Sequence, residues 1–306
     1  MNKAIDIKNL VKRYDSKTAL DDVSFSVSSG SCFGLLGPNG AGKSTAMKIL
    51  TGIIEYDSGS VDVLGFDLKS QKDDIRTLVG YVPQEITLYE KLSAYNNLRF
   101  FGELYGIKGR ELKKRIDDVL EQVGLTDHAN SLINTFSGGM KRRINIAAAL
   151  LHKPRLLILD EPTVGIDPQS RNHIFGMIRA LKKDGITVIY STHYMEEVES
   201  LCDEIAIIDH GRVIAKGDLN KILDKHAVNA VYVESEQMSK IPVFEYSGKV
   251  SKKDRGWVIE TSNILGTIQD ITKKAMELNM AVKELEIVRP NLETVFLSLT
   301  GTSLRD

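Results

Sequence analysis

The stretch CFGLLGPNGAGKST, residues 32–45, joins a run without a polar side chain to a glycine-rich loop. A continuous apolar run such as CFGLL, stopping at Gly37, is the pattern of a strand buried on both faces. Gly37, Pro38, Asn39, Gly40, Ala41, Gly42, Lys43 and Ser44 then fit G-x-x-x-x-G-K-[ST], with Thr45 following, between that strand and an expected helix. The glycines let backbone N–H groups turn inward as an anion cradle, and the helix N-terminus adds its partial positive charge. Lys43 can reach terminal phosphates and Ser44 can ligate Mg²⁺, so a nucleotide with Mg²⁺ is the expected ligand pair.

Outward from this loop the patterns alternate between strand and helix. Ile5 and Ile7, then Val23, Phe25 and Val27, alternate with polar residues, as half-buried antiparallel strands do. LLILD at 156–160 and TVIYS at 187–191 are further buried strands, separated by the helical stretch 171–185. Helical periodicity at 107–123 and 140–151 interrupts the sheet. These patterns predict a parallel α/β core with an N-terminal antiparallel β subdomain and an inserted helical subdomain at about 86–152, all within residues 1–222. Composition changes after Gly217, and residues 225–306 read as a small α+β domain. It has strands near Val231 and Val258, a helix from Ile264, a short strand around Leu285 and Ile287, and a last helix between Pro290 and Gly301.

Among the 306 residues, Lys plus Arg number 40 and Asp plus Glu 41, so no bulk positive field marks a nucleic-acid binder, and no nucleic-acid partner is expected. Cys32 and Cys202 form neither a C-x-x-C pair nor a disulfide framework, which fits a reducing compartment and two small core residues. No apolar run approaches the roughly 18 residues needed to span a bilayer, so a membrane role requires a partner chain.

LLILD ends in Asp160 and is followed by Glu161, which delivers two carboxylates to the sheet edge that carries the phosphate loop. Asp160 is expected in the Mg²⁺ shell and Glu161 beside the attacking water. FSGGMKRR, residues 136–143, places Ser137, a good N-cap, before Gly138 and Gly139 at a helix start, a second expected anion site. Three cations opening a helix oppose its dipole, so Lys141, Arg142 and Arg143 predict either a nearby negative group or a solvated face.

Taken together, these residues resemble the nucleotide-binding subunit of ABC transporters over residues 1 to about 220, with the motifs in the expected order. The resemblance implies a P-loop NTPase of ABC type that binds and hydrolyses ATP. It further implies that Tyr14 stacks on adenine, that Gln84 senses Mg²⁺ and the transmembrane partner, and that His193 contacts the terminal phosphate. Asp167 would lie at a subunit interface, and Ser137 to Gly139 of one subunit would cover the ATP of another in a head-to-tail homodimer, or in a heterodimer with a similar ATPase. The fifth position of the usual LSGGQ is Met140 here, while the Ser-Gly-Gly core is intact. FSGGMKRR, EPTVGIDP and the tail PNLETVFLSLTG resemble the subfamily that pairs with separate six-helix export permeases at the cytoplasmic face of the membrane.

The competing reading is a soluble ABC ATPase acting on ribosomes or nucleic acid. Relatives of that kind carry two cassettes or long coiled-coil insertions, and this chain has neither. The stretch from Tyr81 to Tyr105 is rich in aromatics, including Tyr89, Phe100 and Phe101. Helical spacing suits these rings to a core, whereas a chain that works with a permease also needs a surface to receive it.

Overall fold

The computed structural model describes residues 2–15, 17–226, 229–235, 247–288 and 291–300. The expectations at Pro290 and Gly301 lie outside these. The chain divides into two compact units, Met1–Leu219 and Asn220–Ser303.

In the first unit β1 (Lys3–Tyr14) and β2 (Lys17–Ser28) form an antiparallel hairpin in which Ile5 faces Val27 and Ile7 faces Phe25, all buried. The alternation read from the sequence thus becomes one dry face. β3 (Cys32–Leu36) is buried at every residue and leads through the glycine loop into α1 (Lys43–Leu50). β4 (Ser58–Val63) and β5 (Phe66–Asp67) complete the first sheet in the order β2-β1-β4-β5. α2 (Lys72–Leu78) and β6 (Val79–Val82) lead to the helical insertion of α3 (Ala94–Leu104), α4 (Gly109–Gln122) and α5 (Gly138–Leu150).

The chain then returns to the main sheet with β7 (Leu156–Asp160), α6 (Pro168–Lys183), β8 (Thr187–Thr192), α7 (Met195–Leu201), β9 (Glu204–Asp209) and β10 (Arg212–Asp218), after which α8 (Leu219–His226) begins the second unit. The main sheet has the order β10-β9-β3-β8-β7-β6, parallel except for β10. Because β3, β6, β7 and β8 run the same way, the glycine loop, Gln84, Glu161 and His193 all follow carboxyl ends at one sheet edge, where open α/β sheets place their ligands. Cys32 and Cys202 are buried with Sγ atoms 3.9 Å apart and carry free thiols.

The second unit comprises β11 (Ala230–Ser235), β12 (Ser247–Lys253), β13 (Gly256–Thr261), α9 (Ile264–Glu277), β14 (Val282–Val288) and α10 (Leu292–Thr300). Its antiparallel sheet runs β12-β13-β11-β14, with Val231, Val233, Ile259 and Ile271 at its core. The expected short strand around Leu285 is the exposed edge of this sheet.

Candidate functional site

The glycine loop approaches its neighbours too closely for side chains. A Cβ on Gly37 would sit 2.1 Å from the Ile208 carbonyl, and Gly42, at φ 109°, would place one 2.6 Å from the Ala19 carbonyl. Gly42 is also the N-cap of α1 and offers no capping side chain, so the first N–H groups of that helix remain for an anion. The residues therefore fit a phosphate group. The cleft above them, about 320 Å³, is lined by Tyr14, Asn39, Gly40, Gly42, Lys43, Ser44, Thr45, Gln84 and Glu161. Tyr14 is 45% exposed at the mouth, with the Lys12 ammonium 5.1 Å from its ring centre.

Glu161 is the hub. Its backbone lies in the left-handed region at φ 47°, a conformation costing on the order of 1 kcal/mol for a side chain of this kind. Its N–H donates to Ser191 Oγ at 3.0 Å, which anchors the turn. The carboxylate is buried: Oε1 is 3.1 Å from Lys43 Nζ and 3.4 Å from His193 Nδ1, and Oε2 accepts from Gln84 Nε2 at 3.2 Å. Lys43 also donates to the carbonyls of Gly37 at 2.7 Å and Pro38 at 3.1 Å. Three residues from three separate segments thus meet at the carboxylate of a fourth.

Asp160 stands beside this hub. Its Oδ1 accepts from Ser44 Oγ at 3.2 Å and Ser191 Oγ at 2.7 Å, and its Oδ2 from Tyr81 at 3.5 Å. Burial, reinforced by the Asp160 charge, pushes the Tyr81 hydroxyl well above its usual range, so it remains a donor. Among the described residues no group of three or more His, Cys, Asp or Glu side chains could hold a metal by itself. Ser44 and Asp160 offer two hard oxygen ligands, which suits Mg²⁺ completed by phosphate oxygens and water. The sequence marks Tyr81 only as one of the aromatics at 81–105 and Ser191 only as the end of a buried strand; their place beside Asp160 comes from how β6, β7 and β8 align.

Ser137 caps α5, accepting from Met140 N at 3.2 Å. Neither it nor Gly138 nor Gly139 lines the Lys43 cleft. Gly139 instead packs against the start of α6, where an added Cβ would lie 2.1 Å from Ser170 Oγ. Asp167 caps α6 through Ser170 N at 2.9 Å, and the Ser170 N–H and hydroxyl hold the Asp167 carboxyl below the usual range. The expectation for the cations requires correction. Lys141 pairs with Glu90 at 2.7 Å, Arg142 is buried and donates to the carbonyls of Pro83 and Gln84, and Arg143 donates to the Val123 carbonyl at 2.9 Å. Lys141 thus meets a nearby negative group, as the sequence predicts, while Arg142 and Arg143 meet neutral carbonyls in place of an anion or a solvated face, because the loop between β6 and α3 and the end of α4 lie against α5 and supply acceptors that period alone did not reveal.

The sequence profile described as ABC transporter matches residues 20–164. The linearmycin resistance ATP-binding protein LnrL of Bacillus subtilis (strain 168) is 43% identical over 99% of this chain and the whole of that protein. The chain belongs to the ABC transporter family. It is an ATP-binding, ATP-hydrolysing subunit. The Nod factor export ATP-binding protein I of Sinorhizobium fredii (strain NBRC 101917 / NGR234) is 36% identical over 99% of this ABC protein and 88% of its own length. Among solved structures, the dimeric ATP-binding cassette MJ0796, bound to ADP and Pi after hydrolysis, superposes with a TM-score of 0.65 at 28% identity, covering 70% of this chain and 98% of that one. The cbiO1 subunit from Clostridium perfringens, part of a cbiONQ transporter complex, gives 0.68 at 28% identity, covering 74% and 92%.

Proposed function

We propose that this ABC ATPase powers a membrane exporter by binding ATP between two nucleotide-binding subunits and hydrolysing it. The convergence of Lys43, Gln84 and His193 on Glu161 is the observation that carries this reading. The names of its full-length relatives, a resistance protein and an export protein, support export over work on ribosomes or nucleic acid.

In this reading Tyr14 stacks on the base, the loop Gly37–Thr45 cradles the phosphates, and Lys43 takes charge from the terminal one. Mg²⁺, when bound by Ser44 and Asp160 with Gln84 nearby, supplies electrostatic stabilisation of phosphate charge. Glu161 orients the attacking water and accepts its proton, while His193 contacts the terminal phosphate. A phosphate reaching Lys43 competes with Glu161 for the same ammonium, so binding would also release the carboxylate for its work on water. Ser137, Gly138, Gly139 and Asp167 stand outside the Lys43 cleft and would act on the nucleotide of a second subunit, whether a second copy or a similar ATPase.

Among the described residues no helix is long and apolar enough to cross a membrane. In this reading separate permease chains carry the substrate, with this subunit peripheral at the cytoplasmic face. The surface we assign to the permease is the exposed pair Tyr89 and Phe100, whose rings meet edge to face 4.9 Å apart. The second unit carries none of the phosphate-binding motifs, and we assign it an accessory role in dimer contacts or regulation. A chain ending after about residue 222 should keep ATP binding, and failure to bind would contradict that role. The export reading is tested by co-purification and stimulated ATP hydrolysis with six-helix permease chains co-expressed from the same genome. Absence of both would contradict it.

A further inference from the structure

The loop after β6 leaves the sheet at Val82, so the carbonyls of Pro83 and Gln84 have no strand partner. Arg142, in the second turn of the helix opened by Ser137, reaches across to both. Nη1 donates to the Pro83 carbonyl at 2.7 Å and Nη2 to the Gln84 carbonyl. Those carbonyls belong to the peptide planes on either side of the Gln84 Cα. Fixing both planes fixes the backbone angles of Gln84, and therefore the direction in which its side chain leaves. That side chain ends on Glu161.

The arrangement is unusual in its cost. Arg142 is 3% exposed, its Nε has no hydrogen-bond partner, and among the described residues no carboxylate forms an ion pair with it. A buried guanidinium held only by neutral carbonyls gives up hydration without a counter-ion in contact. The same helix holds the loop at two further points: Asn145 Oδ1 accepts from Thr87 Oγ1 at 2.9 Å, and Lys141 pairs with Glu90. Three residues within two turns therefore carry the 83–90 loop with the helix that begins at Ser137.

We propose that Arg142 is a positioning residue: it sets Gln84 against Glu161 and ties the helix start at Ser137 to the loop that bears Tyr89, so that these parts move as one body. The inference rests on the reading of Glu161 as the hydrolytic carboxylate. Arg142 touches neither the reacting atoms nor the cleft, and its effect passes through Gln84.

The test is a double-mutant cycle on the full chain, with Arg142→Lys, Arg142→Gln and Gln84→Ala singly and combined, reading kcat and KM for ATP together with thermal unfolding. Arg142→Gln guards against failure of the lysine variant to fold, since its amide still reaches one carbonyl. Gln84→Ala and Arg142→Gln should each lower kcat about tenfold with KM changed less than about twofold, Arg142→Lys should recover part of the loss, and the combined variant should fall no more than about twofold below the lower single. Losses that multiply in the combined variant, or an Arg142 variant that melts earlier while keeping wild-type kcat, would overturn the positioning role and leave the Glu161 reading intact. A wild-type chain that does not hydrolyse ATP contradicts both.

Discussion

Lys43 Nζ lies 3.1 Å from Glu161 Oε1, with the two side chains only 4% and 5% exposed. The cation assigned to the phosphate and the carboxylate assigned to the water thus neutralise one another in a buried setting. Removing one partner strands the other charge. Lys43→Ala should weaken nucleotide binding and also cost about 3 kcal/mol of stability, whereas Glu161→Gln leaves the ammonium with an amide oxygen and the Gly37 and Pro38 carbonyls and should lose less. Differential scanning calorimetry of the two variants checks this order. Wild-type melting of both would mean the pair carries no structural weight.

The helix start at Ser137 separates two glycines by what lies above them. A side chain at Gly139 collides with Ser170 in the same chain, while the nearest atom to a Cβ on Gly138 is Ile166 Cδ1 at 3.8 Å. Gly139→Ala should therefore lower stability by about 1–3 kcal/mol through displacement of α6. Gly138→Val should fold normally and fail to form the ATP-dependent dimer. Light scattering with ATP and Mg²⁺ reads the second effect, and a Gly138→Val chain that dimerises like wild type would take Gly138 out of the interface.

Tyr89 and Phe100 are exposed, and the Tyr89 backbone is held by Asn97, so their rings are separable from the loop's structure. Tyr89→Ala with Phe100→Ala should leave basal ATP hydrolysis of the isolated chain within about twofold while reducing association with the permease by more than about tenfold. Glu90 is unsuited to this test, because its charge holds Lys141. Unchanged association, measured by co-purification, would move the docking surface elsewhere.

His152 stacks on Tyr105 at 3.9 Å, its Nε2 faces the Val79 carbonyl at 3.2 Å, and its buried Nδ1 has no partner. Burial lowers its pKa below the ordinary 6.5, assisted by the Arg115 charge, so the folded chain holds this ring neutral. The unfolded chain binds the proton first. Its contribution is whole above the unfolded value and is lost as the pH falls below it. Acidification from about pH 7 to about pH 5 should destabilise the wild type more than His152→Gln, as read from urea midpoints at each pH. Parallel curves would exclude His152 as the titrating group.

The strands and helices around the phosphate loop were legible because burial on two faces erases polar residues from β3 and β7, and because α4 and α5 keep helical spacing. Lys43, Glu161, Gln84 and His193 were legible by motif, although nothing in their spacing states that all four meet at one carboxylate. The basic run at 141–143 could not be read locally. Its acceptors, Glu90, Pro83, Gln84 and Val123, come from distant segments, and only the packing of the insertion brings them to α5. Gly139 was legible as a flexible helix start, while its close approach to Ser170 depends on how α5 meets α6.

The central claim is that Glu161 performs hydrolysis while Lys43 and the glycine loop hold the nucleotide. Its most direct measurement is ATP turnover and equilibrium ATP binding on the same Glu161→Gln preparation. The expected result is wild-type ATP affinity with kcat lowered about 10²–10⁴-fold, which is roughly 3–5 kcal/mol of barrier. Wild-type turnover by Glu161→Gln, with ATP demonstrably bound, would contradict the account.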